Sequence, residues 1–144
     1  MELGDVGRVV KNSDEAAKCL IPFFIGKKCE LVALMCLDNK GKVVYCGTAF
    51  EGSVNAAAVS VRRIVELAVR YSTANVILAH NHPGGVAVPS QEDIRVTERV
   101  ARALQTVDIT LLDHLIIADN DWVSLAMTPS MAGVFPRREG FRTV

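Results

Sequence analysis

Residues 75–94 read NVILAHNHPGGVAVPSQEDI, and the fold turns on how this stretch is divided. NVILAHN is a short, nearly continuous apolar run, which suits a strand covered on both faces. Pro83, Gly84 and Gly85 supply a turn, and Ser90 followed three places later by Asp93 has the form of a capping box opening a helix. Side chains alternate along a strand, so His80 and His82 point to one face while Asn81 points away. A helix folding back over the sheet brings its N-terminus beside the carboxyl end of that strand, where ligands of open α/β sheets bind.

Working outward, SDEAAKCLIPFF (13–24) reads as a first helix with Ser13 as N-cap, Asp14 and Glu15 placed well for the helix dipole, and Pro22 ending or bending it. ELVALMCLD and VVYCGTAF are strands joined by the turn NKGK as a hairpin. VSVRRIVELAVRYS (59–72) is an amphipathic helix with Val61, Ile64, Val65, Ala68 and Tyr71 on its apolar side. The helix opened at Ser90 runs through SQEDIRVTERVARALQTV, and DITLLDHLIIAD and WVSLAM are two final strands. The order αββαβαββ predicts an α/β sheet with helices on its faces.

The chain has 144 residues, half of them apolar, which predicts one domain around a single sizeable core. We divide it into a lead-in (1–12), the domain (13–126) and a C-terminal tail (127–144). Sixteen basic residues balance sixteen acidic ones, so no global positive field favours nucleic acid or an anionic membrane. The N-terminus lacks the order of a signal peptide and no apolar run is long enough to span a bilayer; the expected location is cytoplasmic. Cys19, Cys29, Cys36 and Cys46 show no paired short spacing and are expected to be reduced, buried small hydrophobes.

Helix geometry selects a third partner for the histidines. At about 100° per residue, Asp93 falls within roughly 20° of Val100 and Leu104, on the face turned toward the sheet, while Glu92 is rotated away. Two imidazoles and a carboxylate are the set expected of a catalytic zinc that keeps a fourth position for water. Two nitrogen ligands of three favour Zn2+ over magnesium or calcium. Taken singly, a capping box and a chance histidine pair account for the same residues. Jointly, two of the chain's three histidines fall on one face beside an inward-pointing acid.

The spacing His-x-His, seven residues, Ser, two residues, Asp in HNHPGGVAVPSQED resembles the metal motif of the JAMM (MPN+, JAB) metalloprotease family. ILAHNHPGG with the downstream LLDHLII is similar to its RadC branch in particular, over most of the chain. The resemblance implies a three-layer α/β/α fold around a mixed, largely five-stranded sheet. It implies metal ligation by His80, His82 and Asp93, and a catalytic glutamate at the start of the first strand, which here is Glu30. Glu30 reaches His82 only if the first strand runs antiparallel to NVILAHN, and the resemblance implies that it does.

The implied chemistry is zinc-dependent hydrolysis of an amide in a peptide or isopeptide, with Glu30 as general base and Ser90 donating a hydrogen bond to the oxyanion. The alternative is the DNA-processing accessory role suggested by the RadC name, with a structural or vestigial metal; a closed structural site would need a fourth protein ligand. Asp113 and His114 form a tempting acid/base pair, with a role behind the metal ligands or in local structure. Nothing near Cys29 activates its thiol, and Arg137, Arg138 and Arg142 make a small basic tail whose usual fate is solvation. Trp122 reads as packing. The branch usually has Ser where Gly84 stands, and His-Pro-Arg-Glu where this chain has Ser60–Arg63. Its frequent N-terminal helix-hairpin-helix segment is expected to be missing.

Overall fold

The computed structural model describes residues 6–52, 59–131, 133–136, 138, 140 and 141. Arg137 and Arg142 of the basic tail lie outside the described residues. The elements are α1 (Ser13–Phe24), β1 (Leu31–Leu37), β2 (Val43–Glu51), α2 (Val61–Arg70), β3 (Asn75–Asn81), α3 (Gln91–Gln105), β4 (Thr110–Ala118) and β5 (Asp121–Ser124), then a 3-10 turn at Pro129–Met131. They form one five-stranded sheet ordered β2-β1-β3-β4-β5. β3 and β4 are parallel across the α3 crossover, and the other neighbours are antiparallel. The α/β reading and the element order hold.

Every residue of β1 and β3 is buried, because the sheet is covered on both sides. Val32, Leu34, Cys36, Val76 and Leu78 face Ile64, Leu67, Val96, Val100 and Leu104 of α2 and α3. Ala33, Met35, Leu37, Ile77 and Ala79 face Ala16, Ala17, Leu20 and Phe23 of α1. The alternation of a strand thus feeds two separate cores from one apolar run. Ile77, Leu78 and Leu34 are each 0% exposed, and burying such a side chain fully contributes about 1.5–3 kcal/mol.

The parallel pairing of β3 with β4 contains one irregularity. Val76 pairs with Leu111 and Ile77 with Asp113, so Leu112 is the extra residue of a bulge. Beyond it the alternation is inverted: Leu112 packs in the α1 core, Leu115 does likewise, and Ile116 joins the α2/α3 core. A one-residue slip exchanges the faces of everything that follows. It places Asp113 toward α1 and His114 toward α3.

Four local expectations are corrected. The N-cap of α1 is Asn12, not Ser13: Asn12 is extended and its Oδ1 accepts the Glu15 N–H at 2.8 Å. Ser13 is already helical, and its hydroxyl donates to Asp113 Oδ2 at 2.6 Å. Pro22 does not stop α1, which runs on to Phe24 before Gly26 takes a positive φ of 80°. Pro22 removes one N–H donor, a loss a helix tolerates least in its interior. β5 ends at Ser124, where the Ser124 hydroxyl turns inward to Asp113 at 2.6 Å and its carbonyl accepts from Thr128. Of the cysteines, Cys19, Cys36 and Cys46 are buried as expected, but Cys29 is exposed, next to the exposed Lys27 and Lys28.

Candidate metal centre

The C-terminal tip of β3 and the first turn of α3 meet as the sequence predicts. His80 is fully buried and His82 is about one-fifth exposed at its side chain. Asp93 closes the capping box of α3: its N–H donates to Ser90 Oγ at 3.0 Å, and its Oδ2 accepts the Ser90 N–H at 2.7 Å. The same carboxylate turns to the imidazoles. His80 Nε2 lies 3.0 Å from Asp93 Oδ1, His82 Nε2 lies 3.4 Å from Oδ2, and the two Nε2 atoms are 3.0 Å apart. Capping and convergence are therefore both realised by one residue.

These separations fit a metal ion. Tetrahedral bonds of about 2.0–2.1 Å set ligand atoms roughly 3.3 Å apart. Among the described residues, His80, His82 and Asp93 form the one group whose donor atoms could hold a metal, all within 4.8 Å of one another. The ring protons agree. His82 Nδ1 is 2.9 Å from the Val86 carbonyl, which only accepts, so Nδ1 carries the proton and Nε2 presents its lone pair. Burial opposes ionisation of Asp93, but the adjacent His80 ring, whenever it is protonated, and the Ser90 N–H outweigh it and hold the carboxyl well below its ordinary range. The group offered to a cation is an anion.

Glu30 precedes β1. Val32 pairs with His80 in the antiparallel β1–β3 ladder, and continuing that register by two residues sets Glu30 opposite His82. The antiparallel arrangement is as expected. The segment is fastened on both sides of Glu30 by Asn81, whose Oδ1 accepts the Leu31 N–H at 2.8 Å and whose Nδ2 donates to the Cys29 carbonyl at 3.0 Å. Ser90 is exposed, and its oxygen already accepts the capping bond, leaving its proton to donate outward. A groove of about 370 Å3 runs past His82 between the end of α1 and the β3 and β4 tips, lined by Ile25, Lys27, Asn81, Ile117 and Asp119 among others.

Asp113 and His114 are not an acid/base pair. They sit on opposite faces, and Asp113 Oδ1 accepts the backbone N–H of His114 rather than its ring. Asp113 also takes the Ala126 N–H and the hydroxyls of Ser13 and Ser124, tying α1 to β4 and β5. His114 instead touches the centre: its Nε2 is 2.8 Å from His80 Nδ1, and its Nδ1 is 2.5 Å from Thr97 Oγ1. Burial, then the neighbouring His80, holds His114 far below the usual imidazole range, and thus neutral.

The family model described as the RadC-like JAB domain matches residues 10–130. The chain belongs to that family. A UPF0758 protein of Alcanivorax borkumensis is 44% identical over 120 residues, covering 83% of this chain and 54% of its own length. One of Shewanella frigidimarina is 38% identical over 120 residues, with 83% and 53% covered, and one of Idiomarina loihiensis is 46% identical over 97 residues, with 67% and 43% covered. The chain thus spans about half the length of the curated relatives it matches. A RadC-like JAB domain is consistent with the five-stranded mixed sheet and its three helices. Among the described residues no helix is long and apolar enough to cross a membrane.

Asn81, Thr97 and His114 are the residues at the centre whose contacts the sequence reading did not supply. The alternation rule sets Asn81 aside from the histidines, yet that same orientation brings it to the β1 backbone. For His114, the LLDHLII run marks the residue and a role behind the metal ligands is one of the two expected for it, but the Leu112 bulge conceals which face it takes.

Proposed function

We propose that this domain is a metal-dependent hydrolase of amide bonds in peptide or isopeptide substrates, with zinc held by His80, His82 and Asp93. The observation that carries the reading is the convergence of two imidazole nitrogens and a buried carboxylate within 4.8 Å, with no fourth protein donor grouped among the described residues. Three protein ligands are the number that leaves a catalytic ion accessible, and two nitrogens of three favour zinc. Bound there, zinc supplies Lewis acidity, which acidifies water and polarises a carbonyl.

The remaining steps fall to side chains of this chain. Glu30, opposite His82 when the β1–β3 register is continued, takes a proton from the attacking water at its carboxylate and returns it to the leaving amine nitrogen as the C–N bond breaks. Asn81 holds the segment that carries Glu30 against β3 through the Leu31 N–H and the Cys29 carbonyl, which restrains the approach of that residue to the β3 tip. Ser90 donates a hydrogen bond from its hydroxyl to the oxygen that gains charge as the carbonyl becomes tetrahedral. His80 and His82 are occupied as ligands, so no imidazole stands beside Ser90 to make it a nucleophile.

The test is Glu30→Gln, assayed against a panel of peptide and isopeptide substrates with zinc content measured in parallel. Zinc content equal to wild type with hydrolysis lost is the expected result. Normal turnover in the variant would remove Glu30 from the mechanism.

A further inference from the structure

We propose that His114 is a positioning residue for the metal centre, fixing, together with Thr97, which nitrogen of His80 is offered to the ion. The inference rests on the metal reading given above and adds a requirement to it. A ligating imidazole needs its other ring N–H committed to an acceptor. His80 turns Nε2 to Asp93, and the atom facing its Nδ1 is His114 Nε2 at 2.8 Å. Between two ring nitrogens, one carries the proton and the other the lone pair. Which is which decides whether His80 can bind a cation through Nε2.

The answer comes from Thr97. Its Oγ1 lies 2.6 Å from the backbone carbonyl of Asp93, and two oxygens so close need a proton between them. A carbonyl has none, so the Thr97 hydroxyl donates there. Its single proton being used, Thr97 only accepts from His114 Nδ1, which therefore carries a proton of its own. Buried, with a hydroxyl and an imidazole as the ring partners, His114 holds a single ring proton, so its lone pair sits on Nε2 and accepts from His80 Nδ1–H. His80 Nε2 is left bare toward Asp93.

The four groups close a loop. It runs from the β3 ligand His80 through His114 on β4 and Thr97 on α3 to the backbone of the α3 ligand Asp93. His80 and Thr97 are 0% exposed and Asp93 and His114 1%, so each member depends on the next for its hydrogen bond. The opposite pattern, with protons on both Nε2 atoms, turns Thr97 toward His114 and leaves the 2.6 Å oxygen pair without a proton. A second consequence concerns charge. The acceptor behind His80 is a neutral imidazole, where a ligating histidine commonly leans on a carboxylate, so Asp93 is the one anion this set of four groups brings to the ion.

The test compares zinc affinity, by competition with a chromophoric chelator, and the visible absorption of the Co2+-loaded protein in folded variants. His114→Leu fills the space but accepts nothing, and zinc affinity is expected to fall 10- to 100-fold with an altered Co2+ spectrum. His114→Gln places a carbonyl oxygen near the position of Nε2 and is expected to stay within about threefold of wild type. Thr97→Val is expected to weaken binding and Thr97→Ser to preserve it, and this pair decides the matter if His114→Leu does not fold. Wild-type affinity in His114→Leu or Thr97→Val, or equal losses in the Leu and Gln variants, would overturn the proposal while leaving the metal reading intact. A wild-type protein that binds neither ion overturns both.

Discussion

On the proposed function, replacing Asn81 by alanine separates what would hold Glu30 from what would hold the ion. Asn81 is 4% exposed and spends its amide on two backbone groups, the Leu31 N–H at 2.8 Å and the Cys29 carbonyl at 3.0 Å. Each such bond contributes about 0.5–1.5 kcal/mol net, and a buried N–H left without a partner costs about 1–3 kcal/mol. Leu31 is buried, so its N–H takes that penalty, whereas Cys29 is exposed and its carbonyl regains water. The sum is about 2–4 kcal/mol, read as a shift of the urea midpoint at unchanged slope. Zinc affinity should change less than about threefold, because neither bond touches a ligand nitrogen. Turnover should fall by about tenfold or more, since a misplacement of 1 Å in a reacting group costs up to roughly 10²-fold. Asn81→Asp makes the comparison sharper: it keeps the acceptor for Leu31 and sets an oxygen against the Cys29 carbonyl. An Asn81→Ala protein with a wild-type midpoint, or with full turnover despite a loosened strand, would refute the reasoning.

Ser90→Gly should cost only a few tenths of a kcal/mol in stability, since glycine is a tolerable N-cap, whereas Ser90→Ala should cost about 1 kcal/mol. Both should lose turnover alike, by about 10²-fold if the hydroxyl stabilises the oxyanion; thermal melts and steady-state rates on the two variants check this, and a rate that follows stability instead would return Ser90 to capping alone. For Asp113, burial raises the carboxyl's proton affinity above its unfolded value despite four hydrogen bonds. The folded state then binds the proton more tightly, so this group's contribution is complete below about pH 4 and is lost as pH rises through the folded pKa. Asp113→Asn, which can satisfy the same partners, should flatten that slope in urea midpoints taken between pH 4 and 8. Parallel slopes in the two proteins would contradict it.

Much of this centre is visible in the sequence because it is built from short-range regularities. NVILAHN coincides with β3 since an apolar run covered on both faces has no alternation to blur its ends. The parity of His80 and His82 follows from the strand, and the inward rotation of Asp93 from the helical wheel; the structure brings all three together. The residues behind them depend on register. Asn81 acquires its partners only through the antiparallel pairing with β1, and His114 faces His80 only because Leu112 bulges and exchanges the faces of β4. Ser13 reads as a cap because serine is a good one. Its hydroxyl goes instead to a carboxylate 100 residues away in sequence, a competition that local propensity does not register.

The measurement that bears most directly on the central claim is the zinc stoichiometry of the purified domain after loading and dialysis, beside His82→Ala and Asp93→Ala. One ion per chain in the wild type and none in either folded variant is the predicted result. Equal zinc in all three, or none in the wild type, would contradict a metal centre at the meeting of β3 and α3.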